Sequence, residues 1–400
     1  MFLSLLNGIK NIIILYNFSV LRKVLHVVNI AFVIPYYFGD QLSFFFEKGD
    51  IVYIACAKNE NLYNYSKKWN FIPFQLNISR KFSPIQDLYS IFILYDYIKK
   101  NDINTVVGHT PKGAFIAMIA SYFANVKNRI YFRHGLMYET STGFKKILLM
   151  FIERLTSLLS MKVICVSKSV LEGSINNKLS NPNKLLLINN GSCNGIDSTK
   201  QFNRELINLE MKLSIYNKFN ITNNTIIIGY VGRLAKDKGI NELILAWDLL
   251  NKDNLDLKLM LCGPIDERDP IDEDLYRRII SDKSIILVGE VHNPELYYSI
   301  FSYFILPSYR EGFPTVVLEA SSMQLPIITT KSTGCIDSII DNETGIFADI
   351  SPISISEKIT FYINNPLIAK QHGVNGRHFV INNFNQKLIW NTLHNIYFNV

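Results

Sequence analysis

Thr225-Ile-Ile-Ile-Gly-Tyr-Val231-Gly-Arg-Leu-Ala-Lys-Asp-Lys-Gly239-Ile240 is the stretch on which the reading of the fold turns. The β-branched run Thr225–Val231 has the length and composition of a buried strand. A polar loop, Gly232–Gly239, follows, and the chain then passes into an apolar-periodic helix over Ile240–Leu250. Strand, loop and helix in that order form the repeating unit of a parallel sheet covered by helices. Within the loop, Gly232 permits close backbone approach, and Arg233 and Lys238 can converge on one anionic group beside a helix N-terminus. A guanidinium offers a fork matched to phosphate oxygens, and an ammonium adds a point charge. The plainer alternative is a solvated loop with two ordinary cations. Neither Gly-x-Gly-x-x-Gly nor Walker-A spacing occurs here, which argues against NAD and P-loop sites.

The same alternation extends in both directions. Towards the C-terminus, strands are expected at Leu257–Cys262, Ile285–Gly289, Tyr303–Leu306 and Pro326–Thr330. Towards the N-terminus they are expected at Val24–Ile30, Ile51–Cys56, Thr105–Gly108, Arg129–Phe132 and Lys162–Val166. Helical patterns over Ser83–Lys100, Lys112–Asn125 and Phe144–Ser160 lie between them. The pattern loosens through Asn189–Asp197 and a polar helix near Asn203–Asn220. The chain has 400 residues, more than one hydrophobic core usually holds. It therefore reads as an α/β protein of two doubly wound domains. The expected division is an extension at 1–21, a first domain at 22–200 and a second at 201–400, whose last helix can return to the first. Ligands in such sheets sit beyond the carboxyl ends of the strands.

At 48% hydrophobic and 19% charged residues, the composition excludes a disordered or low-complexity chain. Five scattered cysteines without a CxxC pair argue against a disulfide framework and a structural zinc site, and for a reducing compartment. The net charge of +7 is unevenly spread: residues 1–200 sum to +12 and residues 201–400 to −5. A basic first half suggests that this half alone faces something anionic. No segment offers the roughly 18 uninterrupted apolar residues of a membrane span, and no small-residue cleavage site follows the apolar N-terminus. Phe2, Leu5, Leu6, Ile9, Ile13, Tyr16 and Val20 share one face if the extension is helical. That face suits an interfacial anchor or a helix packed on the first domain.

The second informative stretch is Pro307-Ser-Tyr-Arg-Glu311-Gly-Phe-Pro314-Thr315-Val-Val-Leu-Glu319-Ala320. A strand ends at Leu306, a turn runs through Glu311-Gly312, and Pro314 suits the first helical position. Free N–H groups around Thr315 and Val316 can meet an anion or a sugar hydroxyl. Glu311 precedes the helix and Glu319 lies inside it, so the two carboxylates meet different parts of one elongated ligand.

Gly232-Arg233-Leu with Lys238-Gly239, and Glu311-Gly-Phe-Pro with Glu319, together resemble the retaining family 4 glycosyltransferases of GT-B fold. Gly345, in Asp341-Asn-Glu-Thr-Gly-Ile-Phe, fits the turn before a late strand of that family. Asn190-Gly-Ser-Cys-Asn-Gly-Ile-Asp197 and Gly263-Pro-Ile-Asp-Glu-Arg-Asp-Pro270 further resemble a bacterial subgroup that builds capsule, exopolysaccharide and O-antigen units on undecaprenyl diphosphate. The resemblance covers roughly residues 22–400. It implies two Rossmann-like domains facing a central cleft and transfer of a hexose or N-acetylhexosamine from a nucleotide sugar, expected to be UDP-linked. It also implies a polyprenyl-diphosphate-linked glycan as acceptor and retention of configuration. Arg233 and Lys238 would then bind the diphosphate, with Gly232, Pro314 and Thr315 lining the donor site. Glu319 would take the ribose hydroxyls and Glu311 the donor sugar, with His134 near that sugar.

Arg133-His134-Gly135 and His109-Thr-Pro-Lys112 follow expected strands, so His109, Lys112 and Arg133 suit an acceptor diphosphate; the alternative is polar residues bracing loops. The loop Ala31-Phe-Val-Ile-Pro35 lacks the glycine pair that many relatives carry. Asp272-Glu-Asp274 satisfies a D-x-D metal signature, but its place after Pro270 suits the acidic start of a helix. No metal or other cofactor is expected, nor nucleic acid as a partner. The expected location is the cytoplasm, peripheral on the anionic inner face of the plasma membrane. Two other readings keep the fold: a nucleotide-sugar epimerase, and a sugar- or lipid-binding subunit without turnover.

Overall fold

A computed structural model describes residues 22–79, 83–250 and 256–398. The extension at 1–21, with the apolar face expected there, lies outside the described residues.

Seven strands form the first sheet: β1 (Lys23–Val27), β2 (Ile51–Cys56), β3 (Ile72–Gln75), β4 (Thr105–His109), β5 (Asn128–Arg133), β6 (Lys162–Cys165) and β7 (Leu185–Leu187). Their order is β3-β2-β1-β4-β5-β6-β7. β1 pairs in parallel with both β2 and β4, Val24 standing opposite Val52 and Thr105. Six strands form the second sheet: β8 (Ile226–Val231), β9 (Leu257–Cys262), β10 (Ile285–Gly289), β11 (Tyr303–Leu306), β12 (Ile327–Thr330) and β13 (Gly345–Ala348). Their order is β10-β9-β8-β11-β12-β13, and every neighbouring pair is parallel. Both sheets reverse direction once, at β1/β4 and at β8/β11. These are the switch points where a doubly wound sheet opens a crevice for ligands.

The runs named from sequence are β1, β2, β4, β5 and β6 of the first sheet and β8 to β12 of the second, all interior strands except β10. β3 and β7 were not visible as strands, and both are edges. β3 contains Pro73, which a ladder tolerates only at an edge, and β7 is three residues long. The second sheet buries the larger core, in which Trp247 is inaccessible and its indole N–H donates to Ser284 Oγ at 2.9 Å.

The chain separates into two compact units. Among the described residues, one comprises those up to Phe132, Phe151–Val163 and those from Trp390 onward, and the other Arg133–Met150 and those between Ile164 and Ile389. Within the first, the final helix, Gln386–Phe398, brings His394 Nε2 to 2.8 Å from Asp50 Oδ2, while Arg22 Nε lies 2.7 Å from Asp50 Oδ1. Asn128 Nδ2 donates to the Tyr397 carbonyl at 2.9 Å, which ties the end of that helix to β5.

Candidate active site

The loops that follow β8 and β11 are neighbours because those strands are neighbours. They are sewn together: the Tyr309 amide and the Ser308 hydroxyl both donate to the Asp237 carbonyl, at 3.0 and 3.1 Å. Gly239, at φ +71°, lies so close to the second loop that a Cβ would stand 2.1 Å from the Pro307 carbonyl oxygen. Only glycine satisfies both the left-handed backbone and that approach.

Across this seam Lys238 Nζ lies 2.6 Å from Glu311 Oε1. The two side chains are 13% and 17% exposed, so the pair is largely shielded while still reaching the surface. Arg233 is more open. Its guanidinium pairs with Asp266 and stands 3.5 Å from Asp237 Oδ2. Asp266 also accepts from Arg268 Nε and Nη2 at 2.9 and 2.7 Å. Those bonds, with the Arg233 charge, hold its carboxyl well below the ordinary range despite burial. Gly232 closes β8 at φ +151° and donates its amide to the Cys262 carbonyl at 2.9 Å. Beneath it the buried Tyr230 hydroxyl donates to the Arg233 carbonyl at 2.7 Å, which fixes the turn carrying that arginine.

The helix after β11 spans Thr315–Ser322. Pro314 precedes it in an extended conformation, ψ 92°, and so occupies the capping position rather than the first helical one expected. Thr315 therefore opens the helix and Glu319 lies a turn inside it. Glu319 Oε2 accepts from the Tyr298 hydroxyl at 2.9 Å, and burial pushes its pKa up to about 7.

His134 belongs to the same unit as these loops. A Cβ on Gly312 would stand 1.9 Å from the His134 carbonyl oxygen, so the backbone after β5 rests directly on the Glu311-Gly312 turn. Burial drives the His134 imidazole down to about 3, leaving it neutral near pH 7. A neutral ring orients a ligand by hydrogen bonding; it supplies no positive charge.

The remaining candidates are engaged by other partners. Arg133 is fully buried and donates to Ser174 Oγ at 2.7 Å and Ser180 Oγ at 3.2 Å. In the first unit His109 is buried, its Nε2 3.0 Å from His26 Nδ1, with its ring stacked on Phe132. The geometry of Arg133 and His109 is that of bracing groups, and neither is carried into the function proposed below. Lys112 lies on the helix after β4, its Nζ 2.8 Å from Asp87 Oδ1.

Asp272 of the D-x-D match is engaged by Lys236 Nζ at 2.6 Å and Asn241 Nδ2 at 2.8 Å. Glu273 and Asp274 open the next helix, as the dipole argument expects. Among the described residues no cluster of His, Cys, Asp or Glu has a metal-holding arrangement. Sequence reasoning missed Asp266, Arg268 and Tyr298 as partners of the site. The first two sit in the Gly263–Pro270 segment noted above, so a signal existed, but not the bridge Leu234–Ile265 that lays this segment along the Arg233 loop.

Two family models match the chain: glycosyl transferases group 1 over residues 212–379, and glycosyl transferase 4-like over residues 23–167. The chain is 32% identical over 378 residues to the capsular polysaccharide biosynthesis glycosyltransferase CapM of Staphylococcus aureus, covering 94% of this chain and 97% of CapM. It is 24% identical over 340 residues to the UDP-Gal:alpha-D-GlcNAc-diphosphoundecaprenol alpha-1,3-galactosyltransferase of Escherichia coli, covering 83% of this chain and 84% of that enzyme. Among solved structures, a glycosyltransferase from Rickettsia africae superposes with a TM-score of 0.78 at 20% identity, over 95% of this chain and 98% of that one. No helix among the described residues is long and apolar enough to cross a membrane.

Proposed function

The chain belongs to the family 4 glycosyltransferases of GT-B fold, in the bacterial capsule and O-antigen subgroup, and on that premise we propose that it moves a hexose or N-acetylhexosamine from a UDP-linked donor to a polyprenyl-diphosphate-linked sugar, with retention, in surface polysaccharide synthesis. The observation that carries this reading is the Lys238–Glu311 pair at the β8/β11 switch point, with Arg233 on the same loop as Lys238. A nucleotide sugar presents a diphosphate and a polyhydroxyl ring side by side, which matches a cation held against a carboxylate.

In this reading Lys238 and Arg233 hold the diphosphate. Breaking the glycosyl–phosphate bond leaves the bonding pair on the phosphate oxygen, and fixed cations act most strongly where that charge grows. The chemistry is proposed to need no metal, because these two cations supply the charge at the leaving group. Gly232 and the amide at Thr315 lie along the nucleotide, with Pro314 setting the helix entry, and Glu319 accepts from the ribose hydroxyls. Glu311 releases Lys238 to the phosphate and takes hydroxyls of the donor sugar, while neutral His134 orients that sugar by hydrogen bonding. The acceptor hydroxyl attacks the anomeric carbon on the face the diphosphate leaves, and the departing phosphate oxygen takes the hydroxyl proton. Atoms and charge balance without a side-chain nucleophile. Lys112, on the helix after β4 at the first sheet's switch point, is the acceptor-side cation carried forward; binding a diphosphate there requires it to leave Asp87.

The test is a donor screen with purified protein and membrane-extracted polyprenyl-diphosphate sugars, following nucleotide release, product mass and anomeric configuration. Acceptor-dependent release with one sugar mass added, α-linked from an α-linked donor, is the expected result. A new sugar formed without acceptor means epimerisation, and nucleotide binding with no product in any pairing means a binding subunit. Either result refutes the proposal.

A further inference from the structure

At the end of the second sheet away from the candidate active site lies a cavity of about 300 Å³. Thr225, just before β8, Tyr303, which opens β11, and Pro326, just before β12, line it. The loops carrying Lys238 and Glu311 leave the other ends of β8 and β11, so a six-residue strand, about 20 Å long, separates the two places. All the lining residues belong to one compact unit, the one that holds the second sheet. Three cations face the cavity: Arg204, Lys212 on the helix Leu209–Lys218, and Lys370 on Pro366–Asn383. No carboxylate among the described residues lines it. Asp256, beside Thr225, accepts from the Thr222 and Thr225 hydroxyls. Among the described residues, none of the three cationic side chains has an ion-pair or hydrogen-bond partner. Lys212 Nζ has only the Tyr216 ring, 5.9 Å from its centroid. Burial lowers the pKa of Arg204, and burial together with the Arg204 charge lowers that of Lys212. Arg204 and Lys370 also reach solvent, so the cavity is open to a ligand.

We propose that this cavity binds a phosphate dianion, free or carried by a small molecule, at a site separate from the one at the β8/β11 switch point. A lone surface lysine needs no partner. Cations gathered at one cavity repel each other, and an anion seated between them relieves that repulsion. A phosphate group carries about −1.5 to −2 charges near pH 7 and three acceptor oxygens. It therefore suits a guanidinium fork with two ammonium groups better than the single charge of a carboxylate does. The cavity volume stands at the lower end of the range for small-molecule sites, which favours a body no larger than one sugar over a nucleotide sugar. Asn223 and Gln324 line the same cavity and offer amide groups to the hydroxyls of such a body. The site is argued from the opposite edge of the sheet and does not rest on the transfer reaction.

The test is titration calorimetry of the full-length purified chain in phosphate-free buffer, without and with excess UDP. The titrants are inorganic phosphate, glucose 6-phosphate and glucose. Both phosphates are expected to bind, UDP to leave their affinity unchanged, and glucose not to bind. R204Q/K212Q should weaken both phosphates at least about a hundredfold, from the loss of two charged donors. It should melt no lower than the wild type, because the two charges repel in the free protein. K218Q removes a cation from the same helix that does not line the cavity, and should leave binding unchanged. Glucose 6-phosphate that binds more tightly than phosphate, with the difference removed by N223A/Q324A, identifies a carried phosphate; equal affinities identify the free ion. Absence of phosphate binding, binding that R204Q/K212Q retains, or equal weakening by K218Q overturns the proposal. Binding that UDP abolishes and R233Q/K238Q removes places the anion at the switch point and overturns it too. A chain that binds no UDP refutes the transfer reading alone and leaves the comparison of R204Q/K212Q with K218Q intact.

Discussion

Replacing Lys238 by methionine keeps the length and apolar stem of the side chain and removes only its charge. Glu311 then loses a partner held at 2.6 Å in a site where both side chains are less than one-fifth exposed. Fully exposed pairs contribute about 0–1 kcal/mol, and breaking a fully buried pair costs about 3–5 kcal/mol. This intermediate pair should cost about 2 kcal/mol, or about 4–8 °C in apparent Tm for a unit of this size. E311Q alone leaves the ammonium without its carboxylate and should cost a similar amount. The double variant K238M/E311Q removes both charges and should return to within about 1 kcal/mol of the wild type. The transfer rate should behave differently. If Lys238 stabilises the departing diphosphate, K238M and the double variant should both lose at least about a hundredfold in kcat, as when one preorganised donor is removed. Calorimetric melting and a nucleotide-release assay on the four proteins separate the two roles. Recovery of the wild-type rate in the double variant would show that Lys238 merely neutralises Glu311, and the phosphate assignment would fall.

Three further outcomes are expected. Glu319 has a folded pKa raised by burial to about 7, from an ordinary 4.5. The folded state therefore holds an extra proton between those values, and this group's contribution to stability falls as pH rises from 4.5 to 7. Only its ionised form accepts both ribose hydroxyls, so UDP affinity by calorimetry should fall up to tenfold per pH unit below 7, and a wild-type profile as flat as that of E319Q would count against the ribose role. Gly312→Ala forces a methyl group into the His134 carbonyl, with a Cβ–O separation of 1.9 Å if nothing moves, so the turn must shift. Transfer should drop more than about tenfold with Tm lowered by several degrees, and unchanged kcat would show that the Gly312–His134 contact does not set the site. Asp50→Ala leaves the part-exposed Arg22 guanidinium and the buried His394 ring, whose pKa burial lowers, without their common acceptor and should cost about 2 kcal/mol. Hydrogen exchange in Gln386–Phe398 should quicken, and unchanged protection there would show that the carboxylate does not hold the helix.

The corrections at Arg133 and His109 share one cause. Arg133 follows an expected strand and stands two positions before a glycine, which is how a ligand-binding arginine reads. Ser174 and Ser180, 41 and 47 positions away, fold over it and turn it into an interior brace. His109 likewise ends a strand, yet His26 from 83 positions earlier and the Phe132 ring enclose it. Gly143–Leu159 has a helical period whichever stripe faces inward, and the side chains it buries are the polar Glu153, Thr156 and Ser157. The hydroxyl of Tyr131, which meets Glu153, accompanies the inward turn of the polar stripe. Pro314 was misplaced by one position because its fixed φ suits both the capping residue and the first helical residue, and only ψ separates the two.

Local chemistry was enough to determine the central strands, the helices between them, and the two loops rich in glycine and charge. β-branched runs, helical periods and turn residues act over a few positions, and the amino-acid order states them directly. It also determined that Arg233, Lys238 and Glu311 lie in loops between a strand and a helix, and Glu319 inside the helix that follows, where polar side chains can reach a ligand. Only the tertiary structure decided that β8 lies beside β11. That adjacency brings Lys238 to Glu311 across 73 positions, lets Gly312 rest on the His134 carbonyl, and commits Arg133 and His109 to the interior. Strand order and burial depend on which distant surfaces exclude water from one another, and no window of sequence holds both partners of such a contact.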